Sequence, residues 1–259
     1  MSSWPAARTH RAAFRPSGLF LCLVALFVVS GWMAWTGFGA TRVDVLLFVI
    51  SGWVVSLCLH EYGHALTAYR SGDLGVADRG YLTLNPVRYT NPLLSIIFPL
   101  VFLLLGGIGL PGGAVWVDHS HIRGRLRESL ISLAGPLVNV VFLLATVAPF
   151  AVGVDTSTHE VFWAGLAFLA FLQLTATVLN LAPIPGVDGG NALRPWLSHE
   201  YRRGFDAVAP WGMILLFALL FSPIVNGFFF SLVYGIGDVI GLPGYLADEG
   251  RQLFQFWRH

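Results

Sequence analysis

The chain has 259 residues, 56% of them hydrophobic and only 11% charged. Soluble domains carry about a quarter charged residues, so this composition excludes an ordinary soluble domain and points to a polytopic membrane protein. A net charge of +1 offers nothing to a nucleic-acid partner, and the basic residues are all arginine, which leaves no lysine for Schiff-base chemistry.

Taken in order, apolar stretches near 18–38, 44–69, 93–110, 128–150, 161–181 and 208–243 are candidate spans, since crossing a bilayer takes about 20 residues. The first follows Arg8, Arg11 and Arg15 like a signal sequence. Trp32 and Trp35 close it in place of a small-residue cleavage site, so a retained span is expected. Cys22 and Cys58 both lie within spans and do not suggest a disulfide framework. The stretch "GVADRGYLTL", 75–84, alternates Tyr81 and Thr83 against Leu82 and Leu84 and reads as a short strand, whose edge an extended substrate could join. Pro92, Pro99, Gly106, Gly107 and Gly109 make 93–110 a poor straight helix.

The arginines settle how 93–110 is expected to run. They cluster in the N-terminal tail, in 70–127 and in 194–203, whereas the 151–160 loop has only Asp155 and Glu160. If 93–110 dips in and returns, every cluster falls on the cytoplasmic side, as the positive-inside rule requires. The helices 44–69 and 161–181 then run parallel, both toward the cytoplasm. Pro223, Asn226 and Gly227 interrupt 208–243, which is expected to hold two helices. The expected fold is an all-α polytopic membrane protein of about six transmembrane helices, with a re-entrant segment and a short membrane-associated β element near 75–85. No internal repeat or second soluble domain is visible. The chain, 1–259, reads as a single integral membrane domain with a core at about 44–200 and C-terminal helices in 208–243.

"SLCLHEYGHALTAY", residues 56–69, sets His60, Glu61 and His64 inside an apolar run where ionisable groups are costly and mark function. Histidines at i and i+4 share one helix face and can grip one ion, while Glu61 sits beside the ion as a proton carrier. His-Glu-x-x-His on a helix is a zinc metalloprotease signature. The plainer reading is a chance match or a set of interhelical hydrogen bonds. Gly52, Ser56, His60, His64 and Ala68 also form a small-residue seam suited to close helix packing, which is compatible with a site. A catalytic zinc needs a third protein ligand. Asp188 in "NLAPIPGVDGG", 180–190, is the best candidate, the alternative being an N-cap for a short helix at 189–197. His119 and His121 lie in a polar loop and read as surface residues.

The pair "HEYGH" and "NLAPIPGVDGG" resembles the site-2 protease family of intramembrane zinc metalloproteases, in its compact form without PDZ or CBS domains. "SLAGPLVN", 132–139, is similar to the family's Ala-Gly-Pro-x-x-Asn segment, and "GYLTLNPVRYTNPLLSIIFPL", 80–100, to its connecting region. Together these cover about residues 44–200. Gly186 and Val187 depart from the Pro and Leu that often precede the aspartate in the family. The resemblance implies one Zn2+ per chain on His60, His64 and Asp188, Glu61 as general acid and base, and Asn139 and Asn180 near the site. There an amide N–H could steady the oxyanion, although interhelical hydrogen bonding is the competing role. It further implies a multi-pass protein of the cell membrane whose site lies toward the cytoplasm and whose substrates are transmembrane proteins or peptides already trimmed by another protease. An accessory membrane protein or a homo-oligomer is left open. Two other classes compete on the residues alone: a non-catalytic metal binder or metal transporter, and a metalloprotease with a glutamate third ligand. A transporter calls for polar groups along a path across several spans. A third-ligand glutamate calls for one on a helix downstream, where Glu128, Glu160, Glu200 and Glu249 lie at span ends or in polar segments.

Overall fold

The computed structural model describes residues 13–89, 97–106, 108–109 and 115–258. In chain order its helices are α1 (Gly18–Thr36), α2 (Thr41–Ser71), α3 (Gly75–Asp78), α4 (Phe98–Gly106), α5 (Arg125–Ala151), α6 (Glu160–Asn180), α7 (Asp188–Leu193), α8 (His199–Val208), α9 (Gly212–Phe221), α10 (Pro223–Ile240) and α11 (Gly244–Phe254). Among the described residues, six helical stretches are long and apolar enough to cross a membrane: α1, α2, α5, α6, α8 with α9, and α10. The protein is a multi-pass membrane protein. The region after 199 holds two of the six stretches, parted at Ser222, because the following Pro223 cannot continue the preceding helix. Asn226 Nδ2 closes that break by donating to the Leu220 carbonyl at 3.2 Å.

The core forms where α2 and α6 meet. Every residue from Trp163 to Ala170 on α6 is buried, as befits a helix that is apolar all round. Phe48 of α2 packs on Gly165, Gly52 on Leu169, and Ser56 accepts a hydrogen bond from Gln173 Nε2 at 2.6 Å. Each four-residue advance on α2 is matched by four on α6, so the two helices run parallel. The register on α5 is reversed: His64 meets Ile131, Gly63 meets Ala134, and His60 meets Gly135. The end of α2 and the start of α5 therefore share one end of the bundle. Direct bonds confirm this, since the Asp118 N–H donates to Asp73 Oδ2 at 2.8 Å.

That geometry is compatible with the re-entrant expectation for 93–110, part of which lies outside the described residues. The described residues that flank it, at the end of α2 and the start of α5, lie at one end of the bundle, and within it the described residues include the nine of α4. The segment is driven inward: Leu103 is fully buried, the Gly109 N–H donates to Thr175 Oγ1 at 3.0 Å, and Gln255 Nε2 reaches the Leu104 carbonyl at 3.3 Å. The stretches 90–96, 107 and 110–114 beside it lie outside the described residues. Cys22 is exposed and Cys58 buried, each a free thiol. Hydropathy does not foresee α11, because Asp248, Glu249 and Arg251 dilute its apolar residues. It seats Gly250 against the Ala164 carbonyl and Phe254 against Phe168, with ring centroids 5.4 Å apart.

The β element expected near 75–85 is not there. The segment folds as α3 followed by a 3₁₀ turn at Tyr81–Thr83. Asp73 Oδ1 accepts from the Gly75 N–H at 3.0 Å and starts a helical turn, while Gly80 and Leu84 adopt φ values of 77° and 57°, outside the extended region. Val76, Ala77, Tyr81 and Leu82 are all buried against α2, a pattern that wraps a turn and does not alternate. A strand-edge route for substrate at this segment falls with it. Asp73 instead becomes a tie point: besides Gly75 and Asp118 it pairs with Arg79 Nη2 at 2.9 Å, and Arg79 stacks on Trp116 at 4.7 Å. Hydrogen bonds to a charged group contribute about 1.5–3 kcal/mol. Asp73→Ala is therefore expected to lower the thermal midpoint in detergent and to speed proteolysis within 115–124, read by mass spectrometry of the fragments. Unchanged melting and cleavage would remove Asp73 from this role.

Candidate active site

Helix α2 carries His60, Glu61 and His64, all buried. Their partner comes from the far side of α6. After Asn180 the chain turns through Pro183 and Pro185, and α7 begins at Asp188 with Val187 in the capping position. The aspartate is thus not the cap that the sequence allows. Gly189 and Gly190 lie so close to the carbonyls of Leu181 and Ile184 that any side chain there would collide with backbone, which folds the loop tightly and drives Asp188 inward.

Three donor atoms converge. His60 Nε2 and His64 Nε2 are 3.0 Å apart, and Asp188 Oδ2 lies 3.2 Å from the first and 3.4 Å from the second. Among the described residues these three form a group whose ligand atoms could share one metal ion. The triangle fits zinc. A tetrahedral zinc with bonds of about 2.0–2.1 Å sets its ligand atoms about 3.3 Å apart. His64 Nδ1 lies 2.7 Å from the Ile131 carbonyl, so it must carry the proton, which leaves the Nε2 lone pair for a metal. Helix α5 supplies the cradle. A methyl group at Gly135 would overlap the Nε2 atoms of both histidines, and Gly63 sits with its Cβ position 2.9 Å from the Ala134 carbonyl.

Glu61 is 1% exposed, with Oε1 3.9 Å from His60 Nε2. It stands beside the donor triangle and not in it. A cleft of about 510 Å³ opens next to its carboxylate, lined by Glu61, His64, Val115, Trp116, Asp188 and Arg194 among others. Asn139 and Asn180 line a different and much smaller cavity, together with Trp53, Ser56, Leu57 and His60. His121 is exposed and pairs with Asp118 at 3.0 Å, away from the centre.

No family model and no solved structure matches the chain. Curated relatives do. It is 46% identical over 254 residues to "Putative zinc metalloprotease Rip2" of Mycolicibacterium smegmatis, covering 96% of this chain and 97% of that one. The protein of the same name from Mycobacterium tuberculosis is 47% identical over 252 residues, 96% of each chain. "Putative zinc metalloprotease YwhC" of Bacillus subtilis is 28% identical over 185 residues, 66% of this chain and 78% of that one. The chain belongs to the site-2 protease family.

In this member of the family the matched stretch spans both motifs and the α5 segment between them, and zinc is its metal. Some of the site is invisible at the motif level. "AGP" within 132–139 stands out as a segment, yet only packing shows why: the glycine makes room for two imidazoles. Arg194 on the cleft wall is held by Asp206 through Nε at 2.5 Å and Nη2 at 2.7 Å, a bidentate pair that no spacing rule predicts. The Gly135→Ala variant is expected to displace the imidazoles and reduce zinc from one per chain to a small fraction of that. Metal analysis of detergent-purified protein checks it; full zinc content would show that α5 yields and the cradle is dispensable.

Proposed function

We propose that this site-2 protease hydrolyses peptide bonds in transmembrane segments of membrane proteins, with His60, His64 and Asp188 holding one zinc and Glu61 carrying the proton. The observation behind this is the donor triangle itself, assembled from α2, α7 and the α5 cradle inside a bundle of membrane-crossing helices. When bound, zinc supplies a Lewis acid for hydrolysis. Glu61 is set to take a proton from the attacking water and to give it to the leaving amine as the C–N bond breaks. Its buried position beside the donors, and not among them, suits a proton carrier and gives it no purpose in a metal store or transporter. Trp116, Val115 and Arg194 wall the cleft in which an unwound segment of substrate would lie. Asn139 and Asn180 stand on the other side of His60 in their own cavity, within reach of the metal's ligand and outside the lining of the cleft.

Orientation follows from charge. Ser17 at the head of α1 bonds the Thr83 carbonyl at 2.8 Å, which puts the amino-terminal side of the first span at the same end as the site. That end carries Arg15, Arg70, Arg79, Arg123, Arg127 and Arg194, while the opposite end has Arg42 and, on α11, Arg251. By the positive-inside rule this asymmetry supports a cleft that faces the cytoplasm. His60 lies about 15 Å from the end of α2, a depth that shortens the path for water.

The decisive experiment pairs metal content with cleavage of a reporter bearing a single transmembrane segment. Native protein should hold one zinc and release a cytoplasmic fragment. Glu61→Gln should keep its zinc and lose at least about 100-fold in cleavage, the scale on which a proton carrier contributes. Asp188→Ala should lose both. Zinc in the native chain with no cleavage of any transmembrane reporter would leave a metal-binding membrane protein; full zinc in Asp188→Ala would show that the two motifs do not share the ion.

A further inference from the structure

The two histidines are not held alike. His64 Nδ1 is anchored on the Ile131 carbonyl, whereas His60 Nδ1 is buried with no partner among the described residues. A ring that binds metal through one nitrogen is normally fixed by a hydrogen bond at the other. The cavity that His60 shares with Trp53 and Asn139 contains the remedy. Trp53 Nε1 and Asn139 Oδ1 are buried too, and neither has a partner among the described residues. Three unpartnered polar groups around one small space are improbable in a stable core, because each costs about 1–3 kcal/mol when left unmet.

Resting on the zinc reading above, we infer that Asn139 is a positioning residue, which orients His60 toward the metal through one ordered water sealed in this cavity. The chemistry closes. His60 Nδ1–H and Trp53 Nε1–H are donors, and one water accepts from both while it donates to Asn139 Oδ1. The cavity is about 10 Å³, close to the space of a single water. Gly135 and Asn139 are one turn apart on α5, so the helix that makes room for the imidazoles also fixes the orientation of one of them. Ser56, which lines the same cavity, is itself held by Gln173 Nε2 and donates to the Trp53 carbonyl at 2.8 Å, so the cavity wall is rigid.

The test is zinc affinity, measured by competition with a chromophoric chelator on full-length protein in detergent, alongside the melting temperature of the metal-free form. Asn139→Leu should weaken zinc binding by about 10–100-fold, with metal-free melting unchanged. Asn139→Asp, which keeps an acceptor oxygen, should stay within several-fold of native. Trp53→Phe removes one donor and retains an aromatic ring; it should also weaken binding, and it decides the question if Asn139→Leu fails to fold. Native-like affinity in Asn139→Leu, or in Trp53→Phe where that variant must stand in, would overturn the inference. So would an affinity loss matched by an equal fall in metal-free stability, since that marks general packing. Absence of zinc from the native chain would overturn the zinc reading as well, an outcome read on native protein alone.

Discussion

Two imidazoles and a carboxylate within 3.4 Å of one another inside a lipid-embedded bundle form an arrangement that a cation resolves. Without one, the imidazole nitrogens and the carboxylate oxygen would crowd together in a site only partly open to water through the cleft. Much of the described architecture is organised around satisfying that constraint. Helices α2 and α6 must run parallel so that the loop after α6 arrives at the depth of His60 and His64, and α5 must cross them with a glycine where the rings lie.

Parallel neighbours in a membrane require an odd number of crossings between them, and here α5 provides the one. The segment between α2 and α5 must then return to its starting side. That requirement explains why backbone groups near α4 find partners within the protein: Gly109 on Thr175, and the Leu104 carbonyl on Gln255. Irregular backbone is tolerated at membrane depth only where protein satisfies it. The same returning segment delivers Val115 and Trp116 to the cleft beside Glu61, held there by Asp73 and Arg79. Topology and the wall of the reaction chamber are thus one structural decision.

The glycines show how local sequence and distant packing cooperate. Gly189 and Gly190 are needed by their own loop, where the backbone turns back on the carbonyls of Leu181 and Ile184. Gly135 is needed by a different helix, since its empty face receives His60 and His64. A fixed ring needs both of its nitrogens met, and the two histidines meet that need differently, one on a backbone carbonyl and the other facing a small polar cavity.

The amino-acid sequence alone determined the membrane-embedded character, the positions of most spans within a few residues, the histidine pair with its glutamate, and, through charge asymmetry, the expectation that 93–110 returns. These are legible because helical periodicity, hydropathy and arginine placement are local properties that each stretch carries in its own residues. It misled at 75–84, where four alternating residues suggested a strand. There the Asp73 hydrogen bond to Gly75 and the left-handed Gly80 and Leu84 favour turns packed on α2, a choice made by burial and not by pattern. Whether Asp188 capped a helix or faced the histidines was equally open at that level. Only the tertiary structure decided it, because the answer depends on the register of α2 against α6 and on a glycine in α5. Contacts between residues about 50 to 130 apart in the chain leave no periodic trace in either partner.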